Sequence, residues 1–197
     1  MSDAAARAAL ATGPLSDLPD RAPVTRSELA FHGKVWDIRR DTFELEPGHP
    51  IVREYMDHTG AVAVLAMDDD GRVLLINQYR HPIGEHEWEL PAGLLDVAGE
   101  PPLAAAQREL AEEVDLAAAT WTELITFHTS PGGSNEVLHV YRAEGLTATP
   151  AFARTEEEAQ IVVRWAPLQE VVDAVLAGRL RNSILIVGVL AAHAQRR

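Results

Sequence analysis

The stretch GLLDVAGEPPLAAAQRELAEEVDL, residues 93–116, decides the fold of this chain. From Pro101 onward it is rich in Ala, Leu, Gln, Arg and Glu, which favour a helix, and a proline is tolerated at a first helical position. On such a helix the carboxylates of Glu109, Glu112 and Glu113 crowd one side, because residues three and four apart are neighbours. Like charges at this spacing repel, so the cluster is stable only if it is solvated or if cations lie among the oxygens. Hard divalent ions such as Mg²⁺ prefer oxygens of this kind.

Two features favour cations over a merely solvated acidic face. The predicted helix carries Leu103, Leu110 and Val114, so its acidic face lies opposite an apolar one. The preceding segment, residues 88–93, is an apolar run that ends in a turn signal at Gly93. This arrangement directs the acidic face of the helix towards a loop.

The segment resembles the Nudix box, G-x5-E-x7-R-E-U-x-E-E-x-G-U, in which U is an aliphatic residue. It departs from the pattern twice: six residues instead of five separate Gly93 from Glu100, and Asp115 replaces the second glycine. The first departure leaves the spacing of the carboxylates unchanged. The second is mild, because a helix C-terminus needs a residue that tolerates positive φ, and Asp does so better than most. The residues that match are Glu100, Arg108, Glu109, Leu110, Glu112, Glu113 and Leu116.

The composition indicates a globular protein and limits its partners. The chain has 197 residues, of which 47% are hydrophobic, and a formal net charge of −13, which argues against nucleic acid or an anionic membrane as a general partner. It has no cysteine, which excludes a disulfide framework and fits a cytoplasmic location. We expect no signal peptide within residues 1–22, and the apolar run 184–192 is too short to span a bilayer.

The sequence predicts an α/β fold, a layered α/β/α sandwich with a mixed sheet, preceded by a small N-terminal β region. We expect residues 1–22 to be a mobile tail, residues 23–58 the β region and residues 59–197 the hydrolase domain. Asp-Gly at the end of residues 68–71 predicts a hairpin between two apolar strands. The resemblance implies the same fold and suggests a homodimer, in which the β region packs against a second subunit. The later strands are expected at 121–128, 137–142 and 161–165, and the later helices at 167–176 and 182–195.

The resemblance also implies a divalent metal, Mg²⁺ or Mn²⁺, beside a diphosphate. Glu109 and Glu113 would be direct ligands, Glu112 would share or complete the set, and the main-chain carbonyl of Ala92 would be the ligand that is not acidic. Arg108 would pair with Glu100 or Glu112 and hold the helix against the preceding loop.

A general base is expected in the acidic run before the last strand. We favour Glu157, with Glu156 and Glu158 as alternatives, because family members carry their base in this place. The run could instead be a solvated charged surface, and metal ions alone could activate the water.

Pro131 indicates the substrate. Within Ser130-Pro131-Gly132 it resembles the marker of ADP-ribose pyrophosphatases, which implies hydrolysis of ADP-ribose to AMP and ribose 5-phosphate. The glycine-rich loop around Gly132 could cradle phosphate with its N–H groups, or it could be a plain hairpin loop. Another nucleoside diphosphate derivative is the alternative substrate, and a non-catalytic nucleotide sensor is the alternative function.

Four further residues are candidates for substrate contacts. Trp36 could stack on adenine, although it could equally be a core or dimer-interface residue. Arg53 and Arg80 could bind the phosphates or the terminal ribose, or form surface ion pairs. Glu136 could contact a ribose hydroxyl. We interpret His81 and His86 as loop residues, since they lack the spacing of a histidine metal site.

Overall fold

The computed structural model describes residues 13–152 and 160–195. The N-terminal part contains strands β1 (Val24–His32), β2 (Asp37–Glu46) and β3 (His49–Asp57). The strands that follow are β4 (Ala61–Ala66), β5 (Arg72–Arg80), β6 (Glu85–Glu89), β7 (Ala92–Leu94), β8 (Leu116–His128), β9 (Val137–Ala148) and β10 (Val162–Pro167). The helices are α1 (Pro102–Val114), α2 (Leu168–Leu176) and α3 (Ser183–Gln195).

Two sheets form the middle layer of the fold. One has the strand order β7-β4-β9-β8, in which β4 runs parallel to β9 and the other pairs are antiparallel. The other has the order β10-β5-β6 and is antiparallel throughout. The mixed sheet predicted from the sequence is therefore present.

The central strand β4 shows how helices cover both faces of this layer. Every residue of β4 is buried, which explains its continuous apolar sequence. Ala61, Ala63 and Leu65 pack into a core cluster with residues of α2 and α3. The alternate residues of β4 pack with Ala105, Ala106 and Leu110 of α1 and others in a second cluster. Because successive side chains of a strand point to opposite faces, this alternation confirms the α/β/α sandwich.

The predicted hairpin between the strands at 61–67 and 72–78 is wrong. β4 and β5 lie in different sheets, and only Met67 and Val73 form a bridge between them. The turn itself is present, because the Asp68 carboxylate accepts the N–H groups of Asp70 and Arg72 at 3.1 and 2.8 Å. Both strands are largely buried and have a strand partner on each side, so each occupies the interior of its own sheet.

The N-terminal strands form a separate antiparallel sheet with the order β1-β2-β3, as the predicted β region requires. Gly48 has a φ of 80° in the turn between β2 and β3, a conformation that glycine adopts readily. Several apolar side chains of this sheet are exposed, among them Leu29, Phe31 and Leu45. The division of the chain at residues 22 and 58 stays a prediction.

The apolar run 184–192 lies within α3, which has 13 residues. Among the described residues, no helix is both long and apolar enough to cross a bilayer.

Candidate active site

The conformation of α1 places its acidic side against the preceding loop. Pro101 precedes the helix in an extended conformation, with φ −65° and ψ 146°. Asp115 ends it with φ 56° and ψ 40°, the left-handed conformation expected from the sequence. Ala105, Ala106 and Leu110 are buried against the sheet, so the packing of the apolar side fixes the rotation of the helix.

Glu113 connects the helix directly to β7. Its carboxylate oxygen Oε2 accepts the backbone N–H of Ala92 at 2.9 Å, and the residue is only 6% exposed. Ala92 is opposite Ala63 in the pairing of β7 with β4, so the sheet fixes the position of this N–H group. The predicted ligands Glu113 and Ala92 are therefore neighbours in space.

Glu109 lies directly on Gly93. A Cβ atom at position 93 would be 2.0 Å from the carboxyl carbon of Glu109 and 2.1 Å from its Oε1 atom. Any residue other than glycine would therefore displace this carboxylate. The box glycine leaves space for an acidic side chain at the end of β7.

Arg108 lies among the acidic side chains of the box. It donates to both oxygens of Glu100, from Nε at 3.2 Å and from Nη2 at 3.0 Å. Its Nη1 atom lies 2.6 Å from Glu109 and 3.1 Å from Glu112. The ion pairs predicted for Arg108 are thus present, with Glu109 as an additional partner. Glu100 belongs to the loop before α1, so Arg108 joins this loop to the helix.

The carboxylates of the box repel one another, and Arg108 partly offsets this repulsion. Burial raises the pKa of the Glu109 carboxyl above its ordinary value, Arg108 opposes this change, and repulsion from Glu112 and Asp96 adds to it. The hydrogen bond to Glu100 is the largest influence that raises the pKa of Arg108. Within residues 13–152 and 160–195, no three acidic or histidine side chains are arranged to hold a metal ion. The carboxylates of Glu109 and Glu112 instead accept hydrogen bonds from Arg108, and the carboxylate of Glu113 accepts one from the Ala92 N–H group.

The loop 129–136 between β8 and β9 is a hairpin loop that also packs on the end of β3. Met56 donates its N–H to the carbonyl of Gly133 at 2.9 Å, and Asn135 donates to the Asp57 carboxylate at 2.9 Å. Arg39 also donates to Asp57 at 2.5 Å and is the main cause of the lowered pKa of that carboxyl. The loop thus joins the N-terminal sheet to the sandwich.

Arg53, Pro131 and Gly132 line one groove between the N-terminal sheet and this loop. The groove has a volume of about 690 Å³, and Asp41 and Tyr55 also line it. Arg53 donates to the carbonyl of Val52 at 2.8 Å, and no ion pair with another described residue is seen for it. The structure therefore brings three of the predicted substrate residues together.

Trp36 and Glu136 both contact His58, a residue that the sequence analysis did not identify. The ring of His58 stacks on Trp36, and its Nε2 atom lies 3.3 Å from Glu136 Oε1. Thr129 donates a hydrogen bond to the other oxygen of Glu136. No local pattern marks His58, which directly follows β3.

Arg80 forms an ion pair with Glu89, which the sequence analysis also missed. The Nε and Nη2 atoms of Arg80 lie 2.7 and 2.6 Å from the two oxygens of Glu89, and Gln78 donates to the same carboxylate at 3.2 Å. Arg80 thus forms an ion pair, the alternative considered from the sequence, but its partner Glu89 is buried, with 2% exposure. Gln78 and Arg80 lie on the same face of β5 as Leu74 and Ile76, and this face is directed towards α1.

We expect Arg80→Ala to lower the free energy of unfolding by about 2 to 3 kcal/mol, because it removes a partner from the buried Glu89 carboxylate. The loss should fall below that of a fully buried pair, since the Arg80 side chain is 43% exposed. Urea denaturation of both proteins measures this difference. As a matched control, Arg164→Ala breaks an exposed pair with Glu170 and should cost at most about 1 kcal/mol. Equal losses in the two variants would contradict the prediction.

The interpretation of His86 as a loop residue is wrong. It lies in β6, opposite Tyr79 of β5, and the two rings are 5.4 Å apart. His81 lies in the turn that follows β5, with its ring 6.2 Å from Tyr79. Glu156, Glu157 and Glu158 lie outside the described residues.

The fold and the box define the class of this protein, and comparison with known proteins identifies the same family. The family model described as "NUDIX domain" matches residues 57–185. The chain therefore belongs to the NUDIX family.

Curated relatives agree with this assignment, and a solved structure shares the fold. The chain is 48% identical to the ADP-ribose pyrophosphatase of Mycobacterium tuberculosis, over 85% of this chain and 81% of the relative. It is 37% identical to that of Bacillus subtilis, over 75% of this chain and 80% of the relative. A crystal structure of an ADP compounds hydrolase has the same fold, with a TM-score of 0.76 and 21% identity over 91% of this chain and 96% of that one.

Proposed function

We propose that this protein hydrolyses the diphosphate bond of ADP-ribose and releases AMP and ribose 5-phosphate. One observation carries the proposal: the Glu109 carboxylate lies against Gly93, next to the hydrogen bond between the Glu113 carboxylate and the Ala92 N–H group. It puts acidic oxygens at the end of β7, in a chain 48% identical to an ADP-ribose pyrophosphatase. Pro131 in the loop 129–136 agrees with this substrate.

The residues present fit a hard divalent ion, which we propose to be Mg²⁺ or Mn²⁺. Glu109, Glu112, Glu113 and the carbonyl of Ala92 would hold it, because all of them offer oxygen atoms. When bound, such an ion neutralises the diphosphate oxygens and lowers the pKa of a bound water. Glycine at position 93 leaves the space in which Glu109 lies at the end of β7.

Arg108 would support the reaction without touching the substrate. Its four hydrogen bonds within the described part of the chain go to Glu100, Glu109 and Glu112. It therefore fixes the helix against the preceding loop and offsets the repulsion between the box carboxylates. Glu157 would be the general base that takes the proton of the attacking water, with Glu156 and Glu158 as alternatives.

The substrate would lie across the groove and the neighbouring residues. Arg53 and the backbone around Pro131 and Gly132 share one groove, where they could bind phosphate or ribose. Trp36 would stack on the adenine, and Glu136 would accept a hydrogen bond from a ribose hydroxyl. Arg80, held by Glu89, would contact a phosphate or the terminal ribose.

We also propose a homodimer, formed through the N-terminal sheet. Its support is the exposed apolar side chains of this sheet, including Leu29, Phe31, Leu45 and Val52. A cytoplasmic location is consistent with the lack of cysteine.

Incubation with ADP-ribose and Mg²⁺, with and without a chelator, tests the proposed reaction. We expect AMP and ribose 5-phosphate in equal amounts, and we expect their release to stop when the chelator is added. Comparison of kcat/KM across sugar nucleotides, NADH and dinucleoside polyphosphates should give the highest value for ADP-ribose. The proposal would be contradicted if no AMP were formed, or if AMP were still released in the presence of the chelator.

A further inference from the structure

His58 lies where the N-terminal sheet, the sandwich and the loop 129–136 meet. It follows β3 directly, and its backbone N–H donates to the side-chain oxygen of Asn135 at 2.7 Å. Its side chain is only 6% exposed. A histidine enclosed to this degree has a fixed ring orientation, so its two nitrogens have defined partners.

The hydrogen bonds determine which ring nitrogen carries the proton. The backbone N–H of Gly60 donates to Nδ1 of His58 at 2.9 Å, so Nδ1 is an acceptor. In the neutral ring the proton must then be on Nε2. This atom lies 3.3 Å from Glu136 Oε1. The Nε2 side of the imidazole is therefore in polar contact with the Glu136 carboxylate.

Glu136 is held at both oxygens by these contacts. Thr129 donates its hydroxyl to Oε2, and His58 faces Oε1. A carboxylate has about four lone-pair positions, so two remain for other donors such as a ribose hydroxyl. The contacts fix the direction in which these remaining positions point.

The same histidine also covers one face of Trp36. The two rings stack with centroids 4.2 Å apart and planes 20° apart. An adenine could then stack only on the opposite face of the indole. His58 thus defines both the position of the Trp36 ring and the face that is available to a ligand.

We propose that His58 is a positioning residue for nucleotide binding, which orients Glu136 through the polar contact of Nε2 and orients Trp36 through stacking. The inference rests on the proposed function, in which these two residues contact the nucleotide. Because His58 acts on binding groups and not on the box carboxylates, its loss affects KM much more than kcat.

Two substitutions separate the two contacts of His58. His58→Phe keeps an aromatic ring against Trp36 but removes both nitrogens. His58→Gln keeps an N–H donor for Glu136 but removes the ring. For ADP-ribose we expect each to raise KM about tenfold, which is the size of one lost polar contact to a carboxylate or one lost ring contact, with kcat within about threefold. As a matched control, His49→Phe at the far end of β3 leaves both constants unchanged.

Double variants show whether His58 acts through its two neighbours. In the Glu136→Gln background, His58→Phe should produce no further rise in KM. In the Trp36→Leu background, His58→Gln should produce no further rise. A merely structural role of His58 would lower the melting temperature and leave KM unchanged in the protein that stays folded. If His58→Phe does not fold, His58→Gln with the Trp36→Leu background provides the same test.

An unchanged KM in both folded single variants overturns the proposal, and so do fully additive effects in the double variants. If the wild type does not hydrolyse ADP-ribose, the proposed function fails, and calorimetric titration with AMP then replaces KM. Tenfold weaker AMP binding by the variants would support the role of His58 without the reaction. Equal AMP binding by wild type and variants, or no AMP binding by any of them, would overturn it.

Discussion

Replacing Glu113 with glutamine should lower kcat for ADP-ribose by about 10³-fold, because it removes a charge proposed to hold the divalent ion. Charge stabilisation by such an ion amounts to several kcal/mol in the transition state, and about 1.4 kcal/mol corresponds to a tenfold change in rate. The fold should persist, since the amide oxygen of glutamine can still accept the Ala92 N–H that Glu113 Oε2 accepts at 2.9 Å. Steady-state kinetics and circular dichroism measure the two effects separately.

Glu170→Gln is the matched control for this substitution. Glu170 lies on α2, on the opposite side of the middle layer from α1, and pairs with the exposed Arg164. This variant should retain the kcat of the wild type. A Glu113→Gln protein that keeps its fold and loses less than about tenfold in kcat would show that Glu113 does not hold the ion.

The second large effect is expected for Gly93→Ala, which should lower kcat/KM by about 10²-fold, because displacing a reacting group by about 1 Å has that effect. The new methyl group would lie 2.0 Å from the Glu109 carboxyl carbon, so that this carboxylate must move. The obstacle is the end of a flexible side chain and not backbone, so the melting temperature should change little. Kinetics and thermal denaturation of the same sample test both expectations.

Gly178→Ala provides the converse control. Gly178 follows α2 with a φ of 68°, and nothing lies within 4 Å of a Cβ atom placed there. Alanine at this position is strained by about 1 kcal/mol through its backbone alone, so stability should fall and kcat/KM should not. If Gly93→Ala instead loses stability and keeps its kcat/KM, the space at Gly93 serves the fold and not the site.

The features that were predicted correctly are set by residues near one another in the sequence. The helix from Pro102 to Val114 follows from its composition, and the left-handed conformation of Asp115 follows from its place after the helix. The resemblance implied a pairing of Arg108 with Glu100 or Glu112, and both pairs are present. The apolar run at 61–67 predicts a strand, and the structure has β4 there.

The features that sequence reasoning missed depend on residues far apart in the chain. Asp-Gly after β4 encodes a turn, but the partners of β4 and β5 are strands from elsewhere, so the turn does not join a hairpin. His58 and Glu136 are 78 positions apart, and only the packing of the loop 129–136 on β3 brings them together. The sequence around Glu89 does not distinguish it from a solvent-exposed charged residue of a strand, and only the structure shows that it is 2% exposed.

Asp115 also acts as an anchor for the chain that leaves β9. Its carbonyl accepts the N–H of Thr149 at 2.9 Å, and its carboxylate accepts the N–H of Phe152 at 2.8 Å. Phe152 is the last described residue before the segment that carries the proposed base, Glu157. A glycine at position 115 would relieve the left-handed backbone conformation, but it would remove the hydrogen bond between the Asp115 carboxylate and the Phe152 N–H group. Aspartate at this position thus fixes the chain after β9 as far as Phe152.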